Sequence, residues 1–259
     1  MDNAKILVDI HGHTALLTLN NPAANTWDRE SLVLFESILH TLERDRNIYA
    51  LVITGQGEKF FSAGADLKQF ADGNRETARE VGELFGRAFE ALSRFPGVSI
   101  AAINGYAMGG GLECALACDL RIAEEQAQMA LPEATVGLLP CAGGTQNLPW
   151  LVGEGWAKRM ILCGERVDAA TALSIGLVEE VVPRQCALER ALQLAKQAAK
   201  QSPVSVRRCK ALIMHGRSHT QASGWARERA LFLELFNCRD QQEGVQAFLE
   251  KRSPQWVNG

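Results

Sequence analysis

No run of about 18 apolar residues, the length needed to cross a bilayer, occurs in the sequence. The opening residues, MDNAKILVDI, lack the basic stretch and apolar core of a secretory leader. A membrane protein is therefore not expected, and the cytoplasm is the expected compartment. Charge of one sign is missing too: 27 Lys plus Arg stand against 30 Asp plus Glu, a formal net charge of −3. That balance gives no broad electropositive field, so nucleic acid is not expected as a main partner. The seven cysteines include no C-x-x-C pair and are odd in number. They are expected to stay reduced, most of them as small core residues. No segment repeats with a period of roughly 20 to 50 residues, and none is of low complexity.

What is present suits a large buried core: 259 residues fit one α/β domain, or such a domain with a smaller appendage. ILVDI (6–10) and ALLTLN (15–20) are β-rich runs flanking the turn-like His11-Gly12-His13-Thr14, which predicts a hairpin. From 28 to 43, Leu32, Phe35, Ile38, Leu39 and Leu42 share one helical stripe, with Asp28 and Glu30 at its acidic start. YALVITG (49–55) and VSIAAIN (98–104) are almost wholly apolar, as strands covered on both faces are, and a helix is expected over 75–94 between them. A short strand follows at 119–123, then helix-forming segments around 155–163 and 168–175. Strands alternating with helices point to an α/β core. Pro203 marks a boundary, which divides the chain into a core over 1–200 and a mostly helical region over 201–259.

The most informative stretch is Gly105-Tyr-Ala-Met-Gly109-Gly110-Gly111-Leu-Glu113, a glycine loop leading from a buried strand into a small-residue helix. Such a loop lets a ligand approach unpaired N–H groups at the positive end of a helix dipole, which suits an oxyanion. The plainer alternative is that the glycines only let helix and strand pack closely. Without a following Lys-Ser/Thr the loop is not a phosphate-binding P-loop. Glu113 favours chemistry, because a carboxylate in an otherwise small and apolar helix is costly to bury without a role; a solvated face or a cap is the alternative.

Five segments, taken together, carry a resemblance. Phe61-Ser-Ala-Gly-Ala-Asp-Leu67, Asn104 to Glu113, Leu131-Pro-Glu133, Pro140-Cys-Ala-Gly-Gly-Thr-Gln146 and Phe248-Leu-Glu-Lys251 resemble, in order and spacing, successive motifs of the crotonase (enoyl-CoA hydratase/isomerase) superfamily. The resemblance covers nearly the whole chain. It implies a spiral of β-β-α units with a helical C-terminal region that packs trimers, which often pair as dimers of trimers. It implies an acyl-CoA thioester as substrate, no separate cofactor, and an oxyanion hole made by the N–H groups of Ala65 and Gly110. Ala63, Asp66, Leu67 and Lys68 would lie along the CoA path, and Phe248 and Lys251 would help to hold CoA in the same or a neighbouring subunit. Glu113 and Glu133 match the two glutamates of the hydratases, which implies addition of water to a trans-2-enoyl thioester with Glu133 as proton donor to carbon. An isomerase or thioester hydrolase of the same superfamily is the alternative, and a non-catalytic CoA- or RNA-binding relative a third. Cys141 and Asn147 depart from the common glycine and arginine of the motif, and Trp27 and Trp150 are further departures, so the acyl pocket is expected to differ.

Other candidates are set aside. His11 with His13, and His215 with His219, have no neighbouring acidic or cysteine set, so no metal site is expected. Ser62 and Cys141 lack an identifiable histidine partner, so neither is expected to be a nucleophile. Arg207, Arg208 and Lys210 are expected on a solvated helix face or against CoA phosphates.

Overall fold

The computed structural model describes residues 4–259. The hairpin forms as expected: β1 (Ile6–His11) pairs antiparallel with β2 (Thr14–Leu19). α1 (Arg29–Arg44) starts at Asp28, which is the N-cap and not a first-turn residue, its carboxylate accepting from the Ser31 N–H in a reciprocal capping box. Thereafter the chain repeats one theme. β3 (Ala50–Gly55), β4 (Phe60–Ser62) and α2 (Arg75–Arg94) form one turn; β5 (Val98–Ile103), β6 (Tyr106–Met108) and α3 (Gly110–Ala117) form the next. β7 (Leu120–Glu124) and β8 (Gln128–Ala130) then lead, through a 3-10 turn at Glu133–Val136, to α4 (Gly144–Leu162). β9 (Val167–Asp168), α5 (Ala169–Ser174), β10 (Glu180–Val182) and α6 (Ala187–Ala198) complete the core, and α7 (Pro203–His215), α8 (Gln221–Leu235) and α9 (Arg239–Leu249) follow.

The first strand of each turn joins one sheet and the second joins another. The larger sheet has the order β1-β2-β3-β5-β7-β10, parallel from β2 onward, and the smaller the order β4-β6-β8-β9. This is the spiral of β-β-α units that the resemblance implies. The unbroken apolar runs of β3 and β5 follow from burial on both faces. Leu51, Ile53, Ala101 and Ile103 enter the main core, while Ala50, Val52, Ile100 and Ala102 enter a second core against Ala187, Ala191 and Ala195 of α6.

Three expectations need correcting. α4 begins about ten residues before the expected 155, as two helical pieces that meet at Gly153, whose φ of 75° and ψ of 162° break the helix. Of the seven free cysteines only Cys114 and Cys118 are buried; Cys186 and Cys238 are partly buried, and Cys141, Cys163 and Cys209 are exposed. Of Arg207, Arg208 and Lys210, only Lys210 leaves the solvated face, its side chain 12% exposed and paired with Asp119 at 2.7 Å, while Arg207 donates to Asn258 and Arg208 pairs with Glu234 at the surface.

Candidate active site

Three parallel strands of the smaller sheet end side by side, and each hands the chain to one part of a single cleft. β4 runs into Ala63-Gly64-Ala65, β6 into Gly109 and α3, and β8 into Leu131-Pro132-Glu133. The carboxyl ends of parallel strands are where α/β sheets leave a crevice for ligands.

Ala65 makes an isolated parallel bridge with Trp27 through its neighbours' peptide groups. The Trp27 N–H donates to the Gly64 oxygen and the Asp66 N–H to the Trp27 oxygen, each at 2.8 Å. Successive peptide groups alternate in direction along extended backbone, so the Ala65 N–H turns away from Trp27 and towards α3. Its nitrogen lies 3.7 Å from where a Cβ would stand on Gly110. The Gly110 N–H opens α3 and so has no intrahelical acceptor. Among the described residues neither amide has a protein acceptor. Gly64, at φ +89°, makes this approach possible: a Cβ there would stand 2.6 Å from the Met108 oxygen and 3.1 Å from the Gly110 nitrogen. Gly111 serves packing, since a Cβ would meet the Ser62 oxygen at 2.2 Å. The packing reading of the glycine loop thus holds at Gly111, while the Ala65 and Gly110 amides are left without a partner.

Glu113, 2% exposed, is fixed from outside its own helix. Its Oε1 accepts from the Ala142 N–H at 2.8 Å and the Gly144 N–H at 2.9 Å. The segment 140–146 is thus a clamp for this carboxylate, a role that no side chain in the segment announces. A Cβ on Gly144 would stand 3.0 Å from that same Oε1, 2.9 Å from Pro140 Cβ and 3.0 Å from Leu131 Cδ1. Gly144→Ala is accordingly expected to displace the carboxylate and lower turnover by about 10- to 100-fold. Steady-state kinetics beside a thermal melt check this; undiminished kcat would mean that the clamp is not needed.

Glu133 begins the 3-10 turn with both carboxyl oxygens out of contact with solvent and, among the described residues, without a donor. Its Oε1 lies 3.2 Å from the Cβ position of Gly109. Burial pushes its carboxyl up to about 7, and the nearby Glu113 charge adds to the rise. Burial raises Glu113 as well, but there the amides of Gly144 and Ala142 favour the ionised form. The two carboxyls thus differ in their donors: amides of another segment hold Glu113, whereas no other residue donates to Glu133.

Ala63, Ala65, Leu67, Gly110, Glu113 and Glu133 all line one cavity of about 670 Å³. Asp66 and Lys68 do not line it: Asp66 accepts from the Lys68 N–H at 3.1 Å, capping the 3-10 turn Leu67–Phe70, and Lys68 is exposed. Phe248, 82% exposed, ends α9 and with Lys251 lies outside this cavity in the single chain. A second cavity of about 710 Å³ lies between α7 and the start of β7, without a carboxyl pair. Cys141 does line the first cavity, and burial, together with the charges of Glu113 and Glu133, pushes its thiol up to about 11. A thiol so protonated at neutral pH is a poor nucleophile. Ser62 is fully buried and accepts from the Gly64 N–H at 3.2 Å. Of the other departures, Trp27 packs in the core against Phe35 and Phe89, Trp150 is exposed, and Asn147 lies beside Gly143 outside the cavity. Not foreseen were Ala78, Gly82 and Phe85 of α2 and Leu138 and Leu139 opposite, which form much of the wall.

A family model described as enoyl-CoA hydratase/isomerase matches residues 9–259. The chain is 39% identical over 252 residues to the 2,3-dehydroadipyl-CoA hydratase of Escherichia coli (strain K12), covering 97% of this chain and 98% of that protein. Among solved structures it resembles Pseudomonas aeruginosa DspI, with a TM-score of 0.96 and 65% identity, covering 99% of this chain and 98% of that one. It also resembles an enoyl-CoA hydratase from Bacillus anthracis, with a TM-score of 0.95 and 39% identity, covering 99% and 100%.

Proposed function

Because the chain belongs to the enoyl-CoA hydratase/isomerase family, we propose that it is an enoyl-CoA hydratase, adding water to a trans-2-enoyl-CoA to give a 3-hydroxyacyl-CoA. The observation that carries the reading is a pair of carboxyl groups with unlike partners in one cavity beside two free amides. The thioester oxygen accepts from the Ala65 and Gly110 N–H groups, which draws electron density from the β-carbon. Glu113, steadied by two amides, accepts a proton from water as its oxygen bonds to the β-carbon. Glu133, to which no other residue donates and whose carboxyl is pushed up to about 7, gives its proton to the α-carbon from its protonated form. Proton transfer from Glu113 back to Glu133 restores the starting state, and no cofactor beyond the coenzyme A of the substrate is needed.

Several finer points belong to the same proposal. Trp225, Phe232 and Leu233 on α8, Phe236 just after it, and Phe248 and Leu249 on α9 are exposed, which supports a homotrimer or dimer of trimers in which Phe248 and Lys251 reach a neighbour's CoA. Ala63, Asp66, Leu67 and Lys68 then border the CoA path at the mouth of the cavity. Seven free thiols support a cytoplasmic setting; no helix among the described residues is long and apolar enough to cross a membrane.

Incubation with crotonyl-CoA tests the reaction: a hydratase abolishes the enone absorbance. An isomerase would instead create that absorbance from a 3-enoyl thioester, and a hydrolase would release free thiol. The pH dependence tests the roles. Hydration needs Glu133 protonated, so kcat/KM should fall as pH rises through about 7. Dehydration of the 3-hydroxyacyl product starts from the other tautomer of the same singly protonated pair, and the overall reaction takes up no proton, so its kcat/KM should fall in parallel over the same interval. A hydration kcat/KM that stays level or rises as pH passes through about 7 would remove this assignment.

A further inference from the structure

After proline, glycine is the residue least favoured inside a helix. α2 contains two, Gly82 and Gly86, and packing demands neither: a Cβ at either position would meet nothing within 4 Å. Gly64, Gly110 and Gly111 are different, since a Cβ there would stand 2.6, 2.9 and 2.2 Å from a neighbouring atom. Only Gly82 of the α2 pair lines the catalytic cavity. Ala78, one helical turn earlier, shares its face and also lines the cavity, so small side chains leave the helix nearly bare there. Phe85 closes the inner end, its Cε1 2.9 Å from the Cβ position of Gly110. Across the gap stand Val136, Leu138 and Leu139, exposed to 53%, 42% and 67%. An apolar trough thus leads away from the carboxyl pair, with nothing filling it on the α2 side.

Resting on the reading of the cavity as an acyl-CoA site, we infer that this trough carries the acyl chain and that Gly82, with Ala78, is the determinant of its length. The three reacting carbons are held between the two amides and the two carboxyl groups. The unbranched carbons that follow run over the bare backbone at Gly82, against Leu138 and Leu139. A larger side chain at position 82 closes the trough to long chains and leaves the reacting end untouched.

Calorimetric binding of saturated butyryl-CoA and decanoyl-CoA to the wild type, Gly82→Leu and Gly86→Leu decides the point without relying on turnover. Leucine improves helix propensity equally at either position, so loss of folding is not expected and Gly86→Leu is the matched control. The wild type should bind decanoyl-CoA more tightly than butyryl-CoA. Gly82→Leu should weaken decanoyl-CoA about ten-fold or more, the effect of excluding about two methylenes, with butyryl-CoA changed less than about two-fold. Gly86→Leu should change neither. Equal wild-type affinities for the two thioesters, equal weakening of both by Gly82→Leu, or no difference between the two leucine variants would overturn the assignment of Gly82 while leaving hydration of crotonyl-CoA intact. Failure of the wild type to bind either thioester would overturn the acyl-CoA reading beneath it.

Discussion

Glu133→Gln should lower the hydration rate by about 10² to 10⁴, the range typical of a positioned general acid or base, with affinity for saturated acyl-CoA nearly unchanged. Glutamine keeps the shape of the side chain beside Gly109 but has no acidic proton to give the α-carbon. Glu113→Gln should cost a similar factor for a different reason. A glutamine Oε1 can still accept from the Ala142 and Gly144 N–H groups, so the clamp survives, yet the side chain can no longer take a proton from water. The two groups act in one step, so the double variant should be little worse than either single one. Turnover with crotonyl-CoA, saturated-analogue affinity and a thermal melt for all four proteins test this. Turnover within about three-fold of wild type in either single variant would take that residue out of the mechanism.

How far the sequence leads depends on the kind of signal that each element leaves. β3 and β5 read clearly because burial on both faces leaves an unbroken apolar run, and α2 because Val81, Leu84, Phe85, Ala88, Phe89 and Leu92 recur at helical spacing. β4, β6 and β8 have three residues each, too few to display a period, yet they deliver Ala65, Gly110 and Glu133 to the cleft. The spiral also escapes a search for repeats. Its turns begin at Ala50, Val98 and Leu120, so their spacings are unequal. Glu113 stood out because a buried carboxylate needs a reason, and the reason proved to be two amides 29 and 31 positions further on. Glu133 carries no such mark in its local pattern, and its place came from resemblance to a family. Backbone donors leave no letter in a sequence. For that reason the clamp at Ala142 and Gly144 emerged only from the fold, and so did the bare face of α2.

Removing the Ala65 N–H should lower kcat by about 10² to 10³, the usual cost of one oxyanion donor. The Ala65 N–H takes no part in the bridge to Trp27, which uses the Gly64 oxygen and the Asp66 N–H; an ester at 65 also weakens that Gly64 oxygen as an acceptor, so a thermal melt accompanies the kinetics. Replacing Ala65 by its α-hydroxy-acid counterpart exchanges that N–H for an ester oxygen while keeping the side chain and the chain path. Ala65→Pro deletes the same donor but also puts a ring carbon where the thioester oxygen should sit, so its loss should be larger and should include ground-state binding. The ester should therefore act mainly on kcat and the proline on kcat and KM together. If the ester protein turned over crotonyl-CoA at the wild-type rate, Gly110 and the start of α3 alone would be holding the oxyanion, and the pairing of two amides across β4 and β6 would have no catalytic meaning.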